Sequence, residues 1–217
     1  YAAHARELGN EVPEQPLIFL KPPSSVIGSG DAILLPAESS RVEHEAEIAA
    51  IIGSRCSRVP AESALEYVGW WAPLNDVTAR DLQKLDVQFT RSKGFDTFCP
   101  IGPQGSSGDW RSLSVICRVN GTVRQEGHAR DMAFGIPDLV AYISRIMTLE
   151  PGDIVSMGTA IKASAGGGAA VDGAATYAAS CAGCHGTDGQ GGVGPQLADG
   201  AVVAAFPDEA DQIEVVA

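Results

Sequence analysis

Glu45 and Glu47 stand two residues apart in RVEHEAEIAAIIG. That spacing puts both side chains on one face of an extended strand, roughly 7 Å apart at the backbone. Two carboxylates that close repel unless a positive charge lies between them. Asp76, in LNDVTARD, is placed to supply a third hard oxygen. Three such ligands would make a site for Mg²⁺, Mn²⁺ or Ca²⁺ with positions open to a substrate. Without Asp76 the pair would read as a solvated strand face on which Glu43 completes a polar stripe. Another constellation lies far along the chain: Cys181, Cys184 and His185 in SCAGCHGTDGQGGVGPQL. This is the spacing of covalent haem attachment, with two thiols for the vinyl groups and the adjacent imidazole for the iron. A structural zinc would need four ligands, and no second Cys or His pair follows. A third pair, His4 and Glu7, would lie one helical turn apart, which by itself describes an ordinary surface helix.

The elements that would hold these groups can be read from periodicity. PLIFLKPPSSVIG reads as a strand interrupted by Pro22 and Pro23. In RVEHEAEIAAIIG, Val42, Ala46, Ile48, Ala50 and Ile52 would face a core, and Glu43, Glu45 and Glu47 the other side. VGWWAPLNDVTARDLQ reads as an apolar stretch entering a helix, with Thr78 as N-cap and Asp81 as its capping-box partner. Asn120 and Gly121 mark a hairpin in SVICRVNGTVRQEG. GIPDLVAYISRIMTLEPGDIVSMGT reads as an amphipathic helix ended by Pro151 and Gly152, then a strand. The Gly/Ala-rich stretch that follows reads as a flexible linker.

Composition narrows the function classes. The 217 residues suffice for one good-sized core, or one domain with a small appendage. No apolar run is long enough to span a bilayer. A net charge of −12, with no basic cluster, argues against nucleic acid or an anionic membrane as partner. Charge also divides the chain: no Lys or Arg follows Lys162, while seven acidic residues do. The first residues carry no basic segment followed by an apolar one, so no signal peptide and a cytoplasmic location are expected. Three scattered cysteines, Cys56, Cys99 and Cys117, do not form a secreted disulfide framework.

YAAHAREL, FLKPPSSVIG, VEHEAEIAAIIG, NDVTARDLQ, RSKGFDTFCPIGP, VNGTVRQEG and TLEPGDIVSMGT occur in the order seen in the fumarylacetoacetate hydrolase family, and the chain resembles that family over residues 1–159. The family includes acylpyruvate hydrolases, oxaloacetate decarboxylases and 2-hydroxyhepta-2,4-diene-1,7-dioate isomerases. The resemblance implies a strand-rich α+β fold, a mixed β-roll with short helices. It further implies Mg²⁺ or Mn²⁺ on Glu45, Glu47 and Asp76, and Lys93 as the cationic group beside them. His4 with Glu7 would form the acid/base pair, Lys21 and Thr159 would lie near the substrate, and a homodimer is implied. The reaction would be hydrolysis, decarboxylation or enol–keto isomerisation of a short 2-keto or 1,3-diketo acid, through an enolate that the cation stabilises. DGAATYAASCAGCHGTDGQGGVGPQL in turn resembles the start of a class I cytochrome c, with Tyr177 on its first helix. The expected organisation is therefore a catalytic domain over 1–160, a linker over 161–173 and a small α-helical haem-binding piece over 174–217. No Met follows Cys181 to serve as a sixth iron ligand.

Overall fold

The computed structural model describes residues 13–105, 109–162 and 213–216. His4, Glu7, Cys181, Cys184 and His185 lie outside the described residues, as do the linker from residue 163 and its neighbouring segment. Residues 17–22, expected as a strand, pair with no ladder among the described residues. They run extended into a 3₁₀ turn at Pro23–Ser25 and then β1 (Val26–Ile27). The two prolines explain this, because neither can donate to a ladder.

The glutamate strand divides into β2 (Val42–Glu43) and β3 (Ala46–Ile52), with His44 and Glu45 in the gap. All seven residues of β3 are buried, so this strand has no solvated face. Ala49 and Ile51 share the parity of Glu45 and Glu47, and a run apolar in both parities suits a strand covered on both sides. A 3₁₀ segment, Ala61–Tyr67, leads into β4 (Val68–Asn75). β4 pairs antiparallel with β3, Ala46 opposite Asn75. A short β5 (Thr78–Ala79) pairs with β2.

Helix α1 (Arg80–Leu85) follows directly, and Ala79 rather than Thr78 occupies its N-cap, with no side-chain cap. The capping box is absent because both its members are engaged elsewhere. The Thr78 hydroxyl donates to the Asp76 carbonyl, and Asp81 accepts from Ser39 and Ser40. A four-residue helix, α2 (Thr90–Lys93), and β6 (Cys99–Pro100), parallel to β1, complete this part.

The expected hairpin forms from β7 (Ser114–Val119) and β8 (Thr122–His128). Asn120 and Gly121 both have positive φ, 50° and 75°, the pattern of a type I′ turn. Helix α3 (Ile136–Ile146) buries Ile136, Leu139, Val140 and Ala141. It ends before Pro151, because Leu149 bridges to Cys56 and the chain must then enter β9 (Ile154–Ser156) against β3. β10 (Ile161–Lys162) pairs with β8, carrying the sheet two residues past the expected boundary at 160. β11 (Ile213–Val216) pairs with β7; these residues were expected to belong to a helical piece, and a strand stands there instead.

Besides the two-stranded pairs β1-β6 and β2-β5, the described residues form two larger sheets, in the orders β4-β3-β9 and β10-β8-β7-β11. The main core lies where Ala46, Ile48, Ala50 and Ile52 of β3 meet Val115, Cys117 and Val119 of β7 and Val140 of α3. A smaller cluster of Val77, Ala79, Leu82 and Phe98 anchors α1. Cys56, Cys99 and Cys117 are buried free thiols. No helix among the described residues is long and apolar enough to cross a membrane.

Candidate metal centre and active site

Antiparallel pairing of β3 with β4 sets the start of one strand beside the end of the other. Glu47 belongs to that start, Glu45 immediately precedes it, and Asp76 follows Asn75 at that end. The Asp76 N–H donates to the Glu45 carbonyl at 2.9 Å, locking the two backbones together. The Asn75 side chain accepts from the Glu45 N–H, also at 2.9 Å. Oxygen atoms of the three carboxylates converge to within 4.8 Å of one another, and all three residues are buried. Glu43, by contrast, is half-buried on β2 and turns to Arg41 and Arg80.

Cations surround the cluster. Lys93 Nζ donates to Glu45 Oε2 at 2.8 Å, Asp76 Oδ2 at 2.6 Å and Thr78 Oγ1 at 2.8 Å. Lys21 Nζ donates to Asp76 Oδ1 at 2.7 Å and to the Lys93 carbonyl. Arg80 holds Glu45 Oε1 through Nη2, and Glu43 Oε2 through Nε at 2.8 Å. Thr159 Oγ1 lies between the glutamates, 2.8 Å from Glu45 Oε2 and 3.1 Å from Glu47 Oε1. Glu47 Oε2 accepts from the Ser156 hydroxyl and from the Gly158 N–H. The Phe19 ring covers Lys93 Nζ, 5.0 Å from its centroid. Of the residues expected at the site, Lys21, Glu45, Glu47, Asp76, Lys93 and Thr159 are thus brought together.

The charges sort the three carboxylates. Burial resists ionisation of Glu45, but Lys93 and then Arg80 hold its pKa down to about 2. Among the described residues, no cation contacts Glu47 directly. Burial, followed by the charges of Asp76 and Glu45, raises it to about 7. Burial also works against the Lys93 ammonium, yet Asp76 and Glu45 keep it above the ordinary lysine value.

The donor set fits a hard divalent cation. Glu45 Oε1, Glu47 Oε1 and both Asp76 oxygens each accept only one hydrogen bond, leaving lone pairs free. With Glu47 ionised, the three clustered carboxylates face three cations, Lys21, Arg80 and Lys93, while the outer Glu43 is matched by Arg41. A divalent ion would turn that balanced set into an excess of two positive charges, which suits an anionic substrate.

A cavity of about 770 Å³ lies elsewhere, against Ile48, Trp71, Pro73 and Asn75 on the core-facing side of the β3–β4 ladder. Trp71 Nε1 and Asn75 Nδ2 are buried without a partner among the described residues.

Arg80, Ser156 and Phe19 escaped the sequence reading, which gave Thr78 only a capping role. For Phe19 a signal existed: it lies two residues from Lys21, so an extended segment sends both to one face while Leu20 points out, 70% exposed. For Arg80 there was none, since its partner Glu45 is 35 residues away.

These features agree with known proteins. The chain is 43% identical over 166 residues to an oxaloacetate tautomerase of Arabidopsis thaliana, covering 73% of this chain and 74% of the relative. The structure of a 5-carboxymethyl-2-hydroxymuconate delta-isomerase from Mycobacterium smegmatis superposes with a TM-score of 0.67 at 45% identity. That match covers 73% of this chain and 64% of the isomerase. A fumarylpyruvate hydrolase from Pseudomonas aeruginosa, solved in complex with Mn²⁺ and pyruvate, gives a TM-score of 0.67 at 32% identity, covering 73% of each chain. The family description "Fumarylacetoacetate (FAA) hydrolase C-terminal" matches residues 1–204, which runs through Cys181, Cys184 and His185 and well past the expected end at 159. The haem reading of those three residues gains no support from these matches. By the ordered motifs, the buried carboxylate cluster and the extent of the match, the chain belongs to the fumarylacetoacetate hydrolase family.

Proposed function

We propose that the chain is a divalent-metal-dependent enzyme that interconverts the enol and keto forms of a short dicarboxylic 2-keto acid, with oxaloacetate as the first substrate to try. The observation that carries this reading is the convergence of Glu45, Glu47 and Asp76 beside the buried Lys93 and the partly buried Lys21. The names of the related tautomerase and isomerase support the choice of reaction. Glu45, Glu47 and Asp76 would hold Mg²⁺ or Mn²⁺, which would supply Lewis-acid stabilisation of an enolate.

The chain's own residues do the rest. Lys93 and Lys21 hold positive charge where negative charge gathers on the keto oxygen, in a site dry enough for that charge to count. Thr159 fixes the two glutamates relative to each other. Phe19 shields Lys93 from water. His4 is the proton carrier in this reading: it delivers a proton to the carbon next to the keto group as the enol hydroxyl proton is lost. Glu7 orients the imidazole. Decarboxylation and C–C hydrolysis start from the same enolate-stabilising groups and are the alternative outcomes. Cys181, Cys184 and His185 have no part in it.

The test is to supply enol oxaloacetate and follow its ultraviolet absorbance. Ketonisation should accelerate with Mn²⁺ and fall to the uncatalysed rate in EDTA. His4→Gln should lower turnover by about 10²–10⁴-fold with Mn²⁺ affinity unchanged. Release of CO₂ as the first product would favour decarboxylation. Acceleration that survives EDTA would refute the reading.

A further inference from the structure

Glu45 lies in a gap that no ladder spans, since β2 ends at Glu43 and β3 begins at Ala46. Its carbonyl accepts from the Asp76 N–H, and the rest of its backbone is fixed by side chains. Asn75 takes the Glu45 N–H, and the residues on either side of Glu45 both turn to one side chain. Gln125, on β8 of the other sheet and 3% exposed, accepts from the Ala46 N–H and from His44 Nδ1, each at 2.9 Å. Its amide nitrogen donates to the Ala160 carbonyl at 3.3 Å. Ala160 follows Thr159, and its own N–H donates to the Ala46 carbonyl at 2.9 Å.

We infer that Gln125 is a positioning residue that sets Glu45 and Thr159 in register with each other across the two sheets. The inference rests on the proposed metal-dependent reading of the site. A neutral amide suits the task, because one planar group must accept twice and donate once. An apolar side chain would leave the Ala46 N–H and the Ala160 carbonyl buried and unpaired. A carboxylate would keep both acceptor contacts but face the Ala160 carbonyl with a lone pair. The two halves of the role are thus separable: the acceptor contacts hold Glu45, and the donor contact holds the strap that carries Thr159.

The test uses the full chain and two variants, with Mn²⁺ titrated by electron paramagnetic resonance and oxaloacetate kinetics measured at pH 8. Gln125→Met should raise the Mn²⁺ dissociation constant at least about tenfold, the range seen when partners of metal ligands are removed. Gln125→Glu should keep Mn²⁺ affinity near that of the native chain yet raise KM for oxaloacetate, because only the Thr159 strap is released. A folded Gln125→Met variant with native Mn²⁺ affinity overturns the inference and leaves the proposed function standing. If Gln125→Met does not fold, Gln125→Glu decides, and an unchanged KM overturns the inference. A native chain that binds no Mn²⁺ overturns both the inference and the proposed function.

Discussion

Asp76→Asn should lower Mn²⁺ affinity by more than about 100-fold, since losing a ligand should exceed the 10–100-fold typical of losing a ligand's partner. The amide keeps the shape of the carboxylate but removes the charge that both lysines share, Lys21 through Oδ1 and Lys93 through Oδ2. Turnover of oxaloacetate should fall with it. Circular dichroism should stay native, because the Asp76 backbone N–H, which ties β4 to Glu45, is untouched. Calorimetric titration checks the affinity, and a native value would remove Asp76 from the metal site. Glu43→Gln is the contrast. Glu43 shares the sequence spacing of the glutamates but sits on β2 against two arginines, so Mn²⁺ affinity should change little.

Lys93→Met should have the largest effect on the metal-free protein. The ammonium bridges Glu45 and Asp76 while itself buried, and removing one partner of such a network costs about 3–5 kcal/mol. Saturating Mn²⁺ should recover much of that loss, because the ion takes over neutralisation of the same two carboxylates. Turnover should not recover: losing a fixed positive charge at the developing oxyanion should leave it down by about 10²–10³-fold. Denaturant unfolding in EDTA and in Mn²⁺, with turnover measured beside it, separates the two roles. A metal-free variant as stable as the native chain would contradict the bridging role.

The sequence announced the three carboxylates better than the shape around them. Glu45, Glu47 and Asp76 were legible because they sit in motifs of the family, and alternation along the strand put the two glutamates on one face. Alternation also suggested a solvated polar face, which is wrong: Ala49 and Ile51 hold the same parity, and β3 is buried throughout. Thr78 was expected to cap a helix by its type and place. It was drawn instead into the site, donating to the Asp76 carbonyl and accepting from Lys93. Helix α3 ended early because Leu149 must cross to Cys56 before β9 can pair with β3. Arg80 and Gln125 were invisible for a common reason. Apart from Gln83 beside Arg80, their partners lie 35 to 81 residues away, so nothing local betrays their place at the site. A long-range contact is written in the sequence only through the fold that creates it.

Glu47 offers the most direct test of the metal site, because it is the carboxylate that burial and its anionic neighbours hold protonated up to about pH 7. A divalent ion needs it ionised, so a proton competes with the ion below that pH and affinity should weaken as pH falls. The measurement is calorimetric titration of the metal-free chain with Mn²⁺, in buffers of different ionisation enthalpy, at pH 6 and pH 8.5. One ion bound per chain, with close to one proton released at pH 6 and almost none at pH 8.5, is the expected result. No bound ion, or binding with equal affinity and no proton release at both pH values, would contradict a centre built on Glu45, Glu47 and Asp76.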